Sequence, residues 1–247
     1  MTIPTFTVWD LQVQQTTTTL QIIDLNVGVL YILGMTSIAV YGIALGGWSA
    51  NNKFTLLGGI RASAQMISYE LSLGLSIVGI LMLTGSLQMS KIVGAQDTFL
   101  EWFIFQQPLG FVIFVIAAFA ENNRLPFDLV ECEQELVGGY HTEYSSMRFS
   151  MFMISEYASM IAASALMATL FFGGWHMPFE EYFGPNLVTI YQVAGFLIKT
   201  GFFLFVYIWV RWSLPRFRYD QLMAIGWKVL LPLALLNVVF TGIWMLV

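Results

Sequence analysis

Six of the fifteen acidic residues of this chain lie in one polar stretch, residues 120–148, between two apolar runs. They are Glu121, Asp128, Glu131, Glu133, Glu135 and Glu143. The stretch holds only two arginines, Arg124 and Arg148. Carboxylates crowded in this way can hold water, protons or a polar partner, because neighbouring like charges favour protonation of one member. The alternative is a solvated acidic loop without a chemical role.

Three further ionisable residues, Glu70, Glu156 and Lys199, lie inside apolar runs. An ionisable group in a bilayer is costly unless it is paired or hydrated, so each is a candidate for proton transfer. Counted from the predicted helix ends, both carboxylates lie roughly 10 Å and Lys199 about 16 Å below the inner boundary. Together with Glu121 they predict a polar line from the loop toward the bilayer centre. The alternative is a set of internal ion pairs or hydrogen-bonded packing residues.

The elements that must position these groups are apolar helices. The composition is 57% hydrophobic and only 10% charged, which is typical of a polytopic membrane protein. Six runs are each near the ~20 residues that cross a bilayer as a helix. They cover residues 27–46, 64–88, 102–120, 149–172, 187–210 and 225–247. The sequence therefore predicts an all-α fold of six transmembrane helices with one long acidic loop, and kinks at Pro108 and Pro232.

The basic residues predict the orientation of these helices. The loops after the first, third and fifth helices hold Lys53, Arg61, Arg124, Arg148, Arg211, Arg216, Arg218 and Lys228. The opposite loops hold Lys91 alone. We therefore expect the first group of loops, including the acidic one, in the cytoplasm or mitochondrial matrix. Residues 1–26 are then a tail on the outer side, and residues 27–247 form a six-helix membrane domain.

The remaining reactive side chains argue against a bound metal or nucleic acid. The single cysteine, Cys132, cannot form a cysteine cluster, and His141 and His176 have no ligand spacing. His141 could relay protons or donate to a quinone, although a lone loop histidine is more often merely exposed. The basic residues are too scattered to follow a nucleic acid backbone.

Long motifs carry a resemblance to a known family. The stretch FAENNRLPFDLVECEQELVGGYHTEYSSM resembles the acidic loop of the quinone-site membrane subunit of proton-pumping NADH:quinone oxidoreductase, respiratory complex I. DLNVGVLYILGMTSIAVYGIALGGWSANNKFTLLGGIRASAQMISYELSLGL looks like the third and fourth helices of that family. FMISEYASMIAASALMATLFFGGW looks like its sixth, and FLFVYIWVRWSLPRFRYDQLMAIGWKVLLPL like the end of its seventh and the start of its eighth. The resemblance covers roughly residues 22–240.

The resemblance implies roles for particular residues. The carboxylate path that links quinone chemistry to proton pumping would include Glu70, Glu121, Glu131, Glu133, Glu135, Glu143 and Glu156, with Lys199 added from its place in the membrane. Arg61, Arg124 and Asp128 would line or support the quinone chamber. Arg216, Arg218 and Asp220 would face the soluble arm. Asn122 and the stretch 130–132 depart from the family pattern.

The resemblance also implies cofactors and partners. Ubiquinone would be the substrate, and the chain itself would bind no redox cofactor or metal. FMN and the iron–sulfur clusters would lie in partner subunits. The partners would be soluble quinone-module subunits, adjacent antiporter-like and small membrane subunits, quinone and membrane lipid, with no nucleic acid.

One departure from the family is large, because the family has eight spanning helices. The missing part corresponds to its first two helices, so we expect a split subunit with a separate polypeptide supplying them. Gene division of this kind favours the mitochondrial inner membrane, with the bacterial plasma membrane as the alternative.

Other functions remain open from sequence alone. One is the related subunit of a membrane-bound hydrogenase, which would have a nickel–iron enzyme as its partner. Another is a secondary transporter, which would favour internal repeats and broken helices. The only repeat-like similarity in the sequence is the short pair ISYEL and ISEYA. A purely structural subunit is the third possibility, and the carboxylates inside the apolar runs argue against it.

Overall fold

The computed structural model describes residues 24–128, 139–178 and 185–246. Within these ranges the chain is helical and contains no β-strand, so the predicted all-α fold is confirmed. The helices are α1 (Gly28–Ser49), α2 (Lys53–Thr84), α3 (Met89–Gly94), α4 (Phe103–Gln106), α5 (Pro108–Glu121), α6 (Ser146–Phe171), α7 (Pro185–Ser213) and α8 (Tyr219–Leu246). Short 3₁₀ turns lie at Phe99–Glu101 and Gly139–His141.

Five of the described helices are long and apolar enough to cross a membrane: α1, α2, α6, α7 and α8. The remaining predicted span, residues 102–120, corresponds to α5, which has 14 residues. A helix of that length is about 21 Å long, short of the ~30 Å hydrocarbon core. The predicted count of six spans therefore depends on α5 and stays a prediction.

The predicted third helix, residues 102–120, is interrupted near its start. The short α4 ends at Gln106, and Pro108 is the first residue of α5. Proline is favoured at this position because its fixed φ suits the first turn and its missing N–H has no helical partner there. The predicted kink at Pro108 was wrong, since the proline begins a helix instead of bending one.

Helix α2 is the centre of the bundle, and its predicted bounds were also wrong. It begins at Lys53, eleven residues before the predicted start, because the Asn52 side chain caps its first turn by accepting from Phe54 N at 3.1 Å. It ends at Thr84, before Gly85 in the left-handed conformation (φ 62°). Half of its most apolar stretch is buried, against 11 to 22% in the other four long helices.

Small residues allow α1 to approach α2 closely. A Cβ atom added to Gly47 would lie 2.9 Å from the Thr55 carbonyl oxygen and 3.0 Å from the Gly59 Cα. This backbone-to-backbone packing is typical of helices in membranes, where small side chains let neighbours approach. It holds α1 against the half of α2 that precedes Glu70.

An irregular turn lies in α8 just before Pro232. Residues Gly226–Leu230 form a π-helical turn, and the Leu231 N–H bonds to the Gly226 carbonyl oxygen. Proline cannot donate to the helical ladder, and a π turn is a recognised cause of helix bending. A kink was predicted at Pro232, and the irregular turn lies just before it, at Gly226–Leu230.

The loops group at two ends of the bundle. At one end, called the basic end here, the α1–α2 turn, residues 122–128, residues 139–145 and residues 214–218 meet. Their contacts include Arg216 with Asp128, and Asn52 with Glu143. At the opposite end, Gln96 bonds the backbone of Gly173, next to the end of α6. The predicted grouping is therefore confirmed for the parts of the loops that the structure describes, and the compartment that each end faces stays a prediction.

Candidate functional site

The segment 122–128, which follows α5, is fixed by one glutamine of α2. The Gln65 amide nitrogen donates to the carbonyl oxygens of Ala120 and Phe127, at 2.8 Å each. Gln65 is completely buried, so these bonds are shielded from water. They hold both ends of the segment that carries Arg124 and Asp128. Sequence reasoning missed Gln65. Its signal was a polar side chain inside an apolar run, the same feature that drew attention to Glu70.

Arg124 and Glu156 form a buried ion pair between this segment and α6. The Arg124 Nη2 atom lies 3.4 Å from Glu156 Oε2, and the two side chains are 7% and 15% exposed. The guanidinium group also lies over the Tyr157 ring, 4.6 Å from its centroid. Sequence reasoning had assigned Arg124 to the quinone chamber and Glu156 to the proton path, and the structure brings the two together.

A second pair, Asp128 with Arg216, ties the segment to the connection between α7 and α8. The Arg216 Nη2 atom donates to Asp128 Oδ2 at 3.0 Å. Next to the pair, the rings of Phe127 and Phe217 stack with centroids 5.6 Å apart, and Phe217 N donates to the Pro126 carbonyl oxygen. Asp128 is buried, whereas Arg216 is 31% exposed in the pair. Asp128, predicted to line or support the quinone chamber, therefore contacts Arg216, which was predicted to face the soluble arm.

Two carboxylates, Glu70 of α2 and Glu121 of α5, lie close enough for their charges to interact. Adjacent hydroxyl groups of α1 reach them, since Ser37 bonds to Glu70 Oε1 and the Thr36 hydroxyl lies beside the Glu121 carboxyl. Residues of three helices therefore meet at one polar point of the bundle. Neither hydroxyl residue was singled out from the sequence, although they are neighbours in the run VLYILGMTSIAV.

The other predicted residues of the basic end lie nearer the surface. The Arg61 guanidinium lies over the Tyr219 ring, 5.6 Å from its centroid. Glu143 is exposed and accepts a hydrogen bond of 2.7 Å from Asn52 Nδ2. Arg218 and Asp220 are exposed at the start of α8. Exposed charges at one end of a membrane bundle can contact a soluble partner.

Lys199 lies apart from these groups. Its Nζ atom donates to the carbonyl oxygens of Phe172, Gly174 and His176, at 2.7 Å, 3.1 Å and 2.5 Å. These carbonyls follow the end of α6, about 22 Å along that helix from Glu156. A cation suits this place because carbonyl groups at a helix C-terminus lack helical partners and carry partial negative charge. The described contacts of Lys199 are therefore far from the acidic loop, and they do not connect it to the predicted polar line.

Three predicted relay residues, Glu131, Glu133 and Glu135, lie outside the described ranges, as does Cys132. His141 is described and is half-buried, with its ring against those of Tyr140 and Phe149. Among the described residues, no group of three or more His, Cys, Asp or Glu side chains is placed to hold a metal ion.

Some of the buried polar atoms without a described hydrogen-bond partner lie in the segment 122–128 or on Gln65, which bonds to it. They include Arg124 Nε, Asn123 Oδ1 and Gln65 Oε1. Buried polar groups are nearly always bonded, so such atoms mark a place that accepts a polar ligand or a partner. Asn122, which departs from the family pattern, donates to the Tyr207 hydroxyl at 2.9 Å and fixes the segment to α7.

A cavity of about 980 Å³ lies at the opposite end of the bundle, between the start of α5 and the second half of α8. Its lining is mostly apolar and includes Gln107, Asn237 and Trp244. It does not touch Arg61, Arg124 or Asp128. The quinone chamber at the basic end therefore stays a prediction.

The chain is a multi-pass membrane protein with a buried charge network. Its helices are apolar and long enough to span a bilayer, and ionisable groups pair between them. The family model for NADH dehydrogenase matches residues 1–242. The chain belongs to this family.

Curated relatives agree with the family match. The chain is 54% identical over 233 residues to the NADH-quinone oxidoreductase subunit 8 of Rhodothermus marinus, covering 90% of this chain and 68% of that relative. It is 53% identical over 226 residues to an NADH-quinone oxidoreductase subunit of Cytophaga hutchinsonii, covering 90% of this chain and 66% of that relative. The corresponding protein of Flavobacterium johnsoniae is 49% identical over 227 residues, covering 90% and 65%. The chain thus spans about two thirds of the length of these relatives.

Proposed function

We propose that this chain is a membrane subunit of a proton-pumping NADH:quinone oxidoreductase, where it forms part of the quinone cavity and of the carboxylate relay. The observation that carries the proposal is the set of ionisable groups that runs from residues 122–128 into the bundle. In a membrane such groups are retained at a cost, so an ion or proton path is the default interpretation. The proposed reaction is taken from the names of the relatives, which are subunits of NADH-quinone oxidoreductase.

The proposed relay begins at the basic end. Glu121 and Glu70 would exchange protons through their shared site, and Glu156 would respond to charge changes at Arg124. Carboxylates that interact in this way titrate as a unit, so a charge that develops at one site changes the protonation of the next. Glu143 and the loop acids Glu131, Glu133 and Glu135 would continue the relay.

The proposed quinone contacts are Arg61, Arg124 and Asp128. A quinone head group presents two carbonyl oxygens that accept hydrogen bonds, and guanidinium groups donate several. Arg124 Nε has no hydrogen-bond partner among the described residues, which supports a polar ligand at this point. On this proposal the chain binds and orients ubiquinone and holds protons, while FMN and iron–sulfur clusters of partner subunits supply electrons.

The proposed partners are the other subunits of the same complex. Exposed Arg218 and Asp220, together with Arg216, would contact the soluble quinone module. Antiporter-like and small membrane subunits would pack in the membrane against the exposed apolar faces. A separate polypeptide carrying two further helices stays a prediction.

The chain is embedded in a membrane, and we propose the bacterial plasma membrane as its location. The relatives named above all come from bacteria, which supports the alternative in the sequence analysis. The predicted mitochondrial inner membrane has no comparable support. The hydrogenase and transporter alternatives likewise have no feature of the described residues in their favour.

The experiment that tests the proposal is a native gel of gently solubilised membranes, stained for NADH oxidation, with mass spectrometry of the active band. We expect this chain in a large NADH-oxidising complex. Its presence with a nickel–iron hydrogenase, or alone, would contradict the proposed electron donor. A lane of membranes from cells that lack the chain is the control, and the stained band should be absent there.

A further inference from the structure

The two hydroxyl groups of α1 at the meeting point of Glu70 and Glu121 have a feature beyond their contacts with the carboxyls. Thr36 Oγ1 and Ser37 Oγ both lie 2.9 Å from the same backbone oxygen, that of Leu33. Each hydroxyl therefore has two acceptors within reach, one a side-chain carboxyl and the other a carbonyl of its own helix. A hydroxyl has one proton to donate and can accept at the same time.

This double reach matters because a carboxyl group changes its hydrogen-bonding character when it takes up a proton. An ionised carboxylate only accepts, whereas a protonated carboxyl also donates. A hydroxyl with a second acceptor can donate to the charged form. It can then turn to the Leu33 oxygen and accept from the protonated form. Both protonation states keep a complete set of bonds without movement of the backbone.

The two hydroxyls are adjacent in sequence, and each serves a different carboxyl. Ser37 bonds Glu70 of α2, while the Thr36 hydroxyl lies beside the Glu121 carboxyl of α5, within its reach. The carboxyls themselves interact electrostatically, so a proton on one affects the other. The sites are half-buried, where water competes weakly for these bonds.

We propose that Thr36 and Ser37 are positioning residues that serve both protonation states of Glu121 and Glu70, with the Leu33 carbonyl as the alternative acceptor. The inference rests on the proposed function, because it assigns a role within the proposed relay. It adds two residues of α1 to a relay that otherwise comprises only ionisable groups.

The test compares variants of the intact complex in membrane vesicles, with NADH-driven quinone reduction and proton uptake measured together. Thr36→Val keeps the shape of the side chain and removes the hydroxyl, whereas Thr36→Ser keeps the hydroxyl. We expect Thr36→Val and Ser37→Ala to lower coupled turnover roughly tenfold, as for loss of one hydrogen bond to a charged group. Thr36→Ser should restore turnover to within about twofold.

The matched control is Ser164→Ala, which removes a buried helix hydroxyl that donates to the Met160 carbonyl oxygen. Turnover of this variant should stay near the wild-type value. Equal effects of Thr36→Val and Thr36→Ser, or of Ser37→Ala and Ser164→Ala, would overturn the inference. Assembly on a native gel separates these outcomes from misfolding.

A combined variant separates the inference from the proposed function. If Thr36 acts through Glu121, Thr36→Val should cause no further loss in a Glu121→Gln background. An additive loss would overturn the inference and leave the relay standing. Full coupled turnover in Glu121→Gln alone would instead contradict the proposed relay itself.

Discussion

The two ends of this bundle bury polar side chains in different ways. At the opposite end, Lys199 and Gln96 bond backbone carbonyl oxygens that follow or end α6. At the basic end, carboxylates face arginines, as in Glu156 with Arg124 and Asp128 with Arg216. A carbonyl oxygen has no proton to exchange, whereas a carboxyl group can take up or release one. The difference separates polar groups that hold the fold from those that can do chemistry.

The largest effect should come from breaking the buried pair at the basic end. Arg124→Leu leaves the Glu156 carboxylate without its cation in a site that is 15% exposed. Loss of one partner of a buried pair costs about 3–5 kcal/mol, so we expect little assembled complex on a native gel. Arg148→Leu is the control, because Arg148 is an exposed arginine at the start of α6. Equal assembly of the two variants would show that the fold does not depend on the Arg124–Glu156 pair.

The next effect should appear at the opposite end and should act on stability. Lys199→Met removes bonds to three carbonyl oxygens, and we expect a loss of about 1.5–3 kcal/mol, seen as a lower melting temperature. The complex that does assemble should pump protons with the wild-type ratio to electrons. Lys91→Met, at an exposed lysine of the same end, should melt as the wild type does. A lowered pumping ratio in Lys199→Met would return this lysine to the relay.

A smaller effect should follow at the half-exposed pair of the basic end. Asp128→Asn keeps the shape of the side chain and weakens its bond to Arg216, which is 31% exposed. Screening by solvent limits the cost for the fold to about 1 kcal/mol. If Asp128 also supports the quinone chamber, the KM for quinone should rise more than the melting temperature falls. Asp220→Asn is the control at an exposed carboxylate, and a similar KM change there would weaken the assignment of Asp128.

Much of the fold followed from hydrophobicity, because a bilayer requires long apolar helices with internal backbone bonding. The ends of the helices were harder to predict. Lys53 begins α2 because Asn52 caps it, and Pro108 begins α5 at a residue where hydropathy alone continues the run. Capping and proline placement depend on single residues, so hydropathy averaged over about twenty residues does not reveal them.

The candidate site was predictable in its charges and not in its pairings. Glu70, Glu156 and Glu121 were conspicuous because ionisable residues are rare in apolar runs. Their partners depend on how helices rotate and pack, so the Arg124–Glu156 pair and the Lys199 contacts required the structure. Gln65 was overlooked because an uncharged amide draws less attention than a carboxylate, although it fixes the segment that carries the site.

The most direct measurement of the central claim is the ratio of protons pumped to electrons transferred in vesicles that hold the Glu121→Gln complex. Glutamine keeps the shape of the side chain and cannot take up or release a proton. We expect an assembled complex whose pumping ratio and coupled turnover both fall well below the wild-type values. An assembled Glu121→Gln complex with the wild-type ratio and rate would contradict the assignment of this end of the bundle to proton transfer.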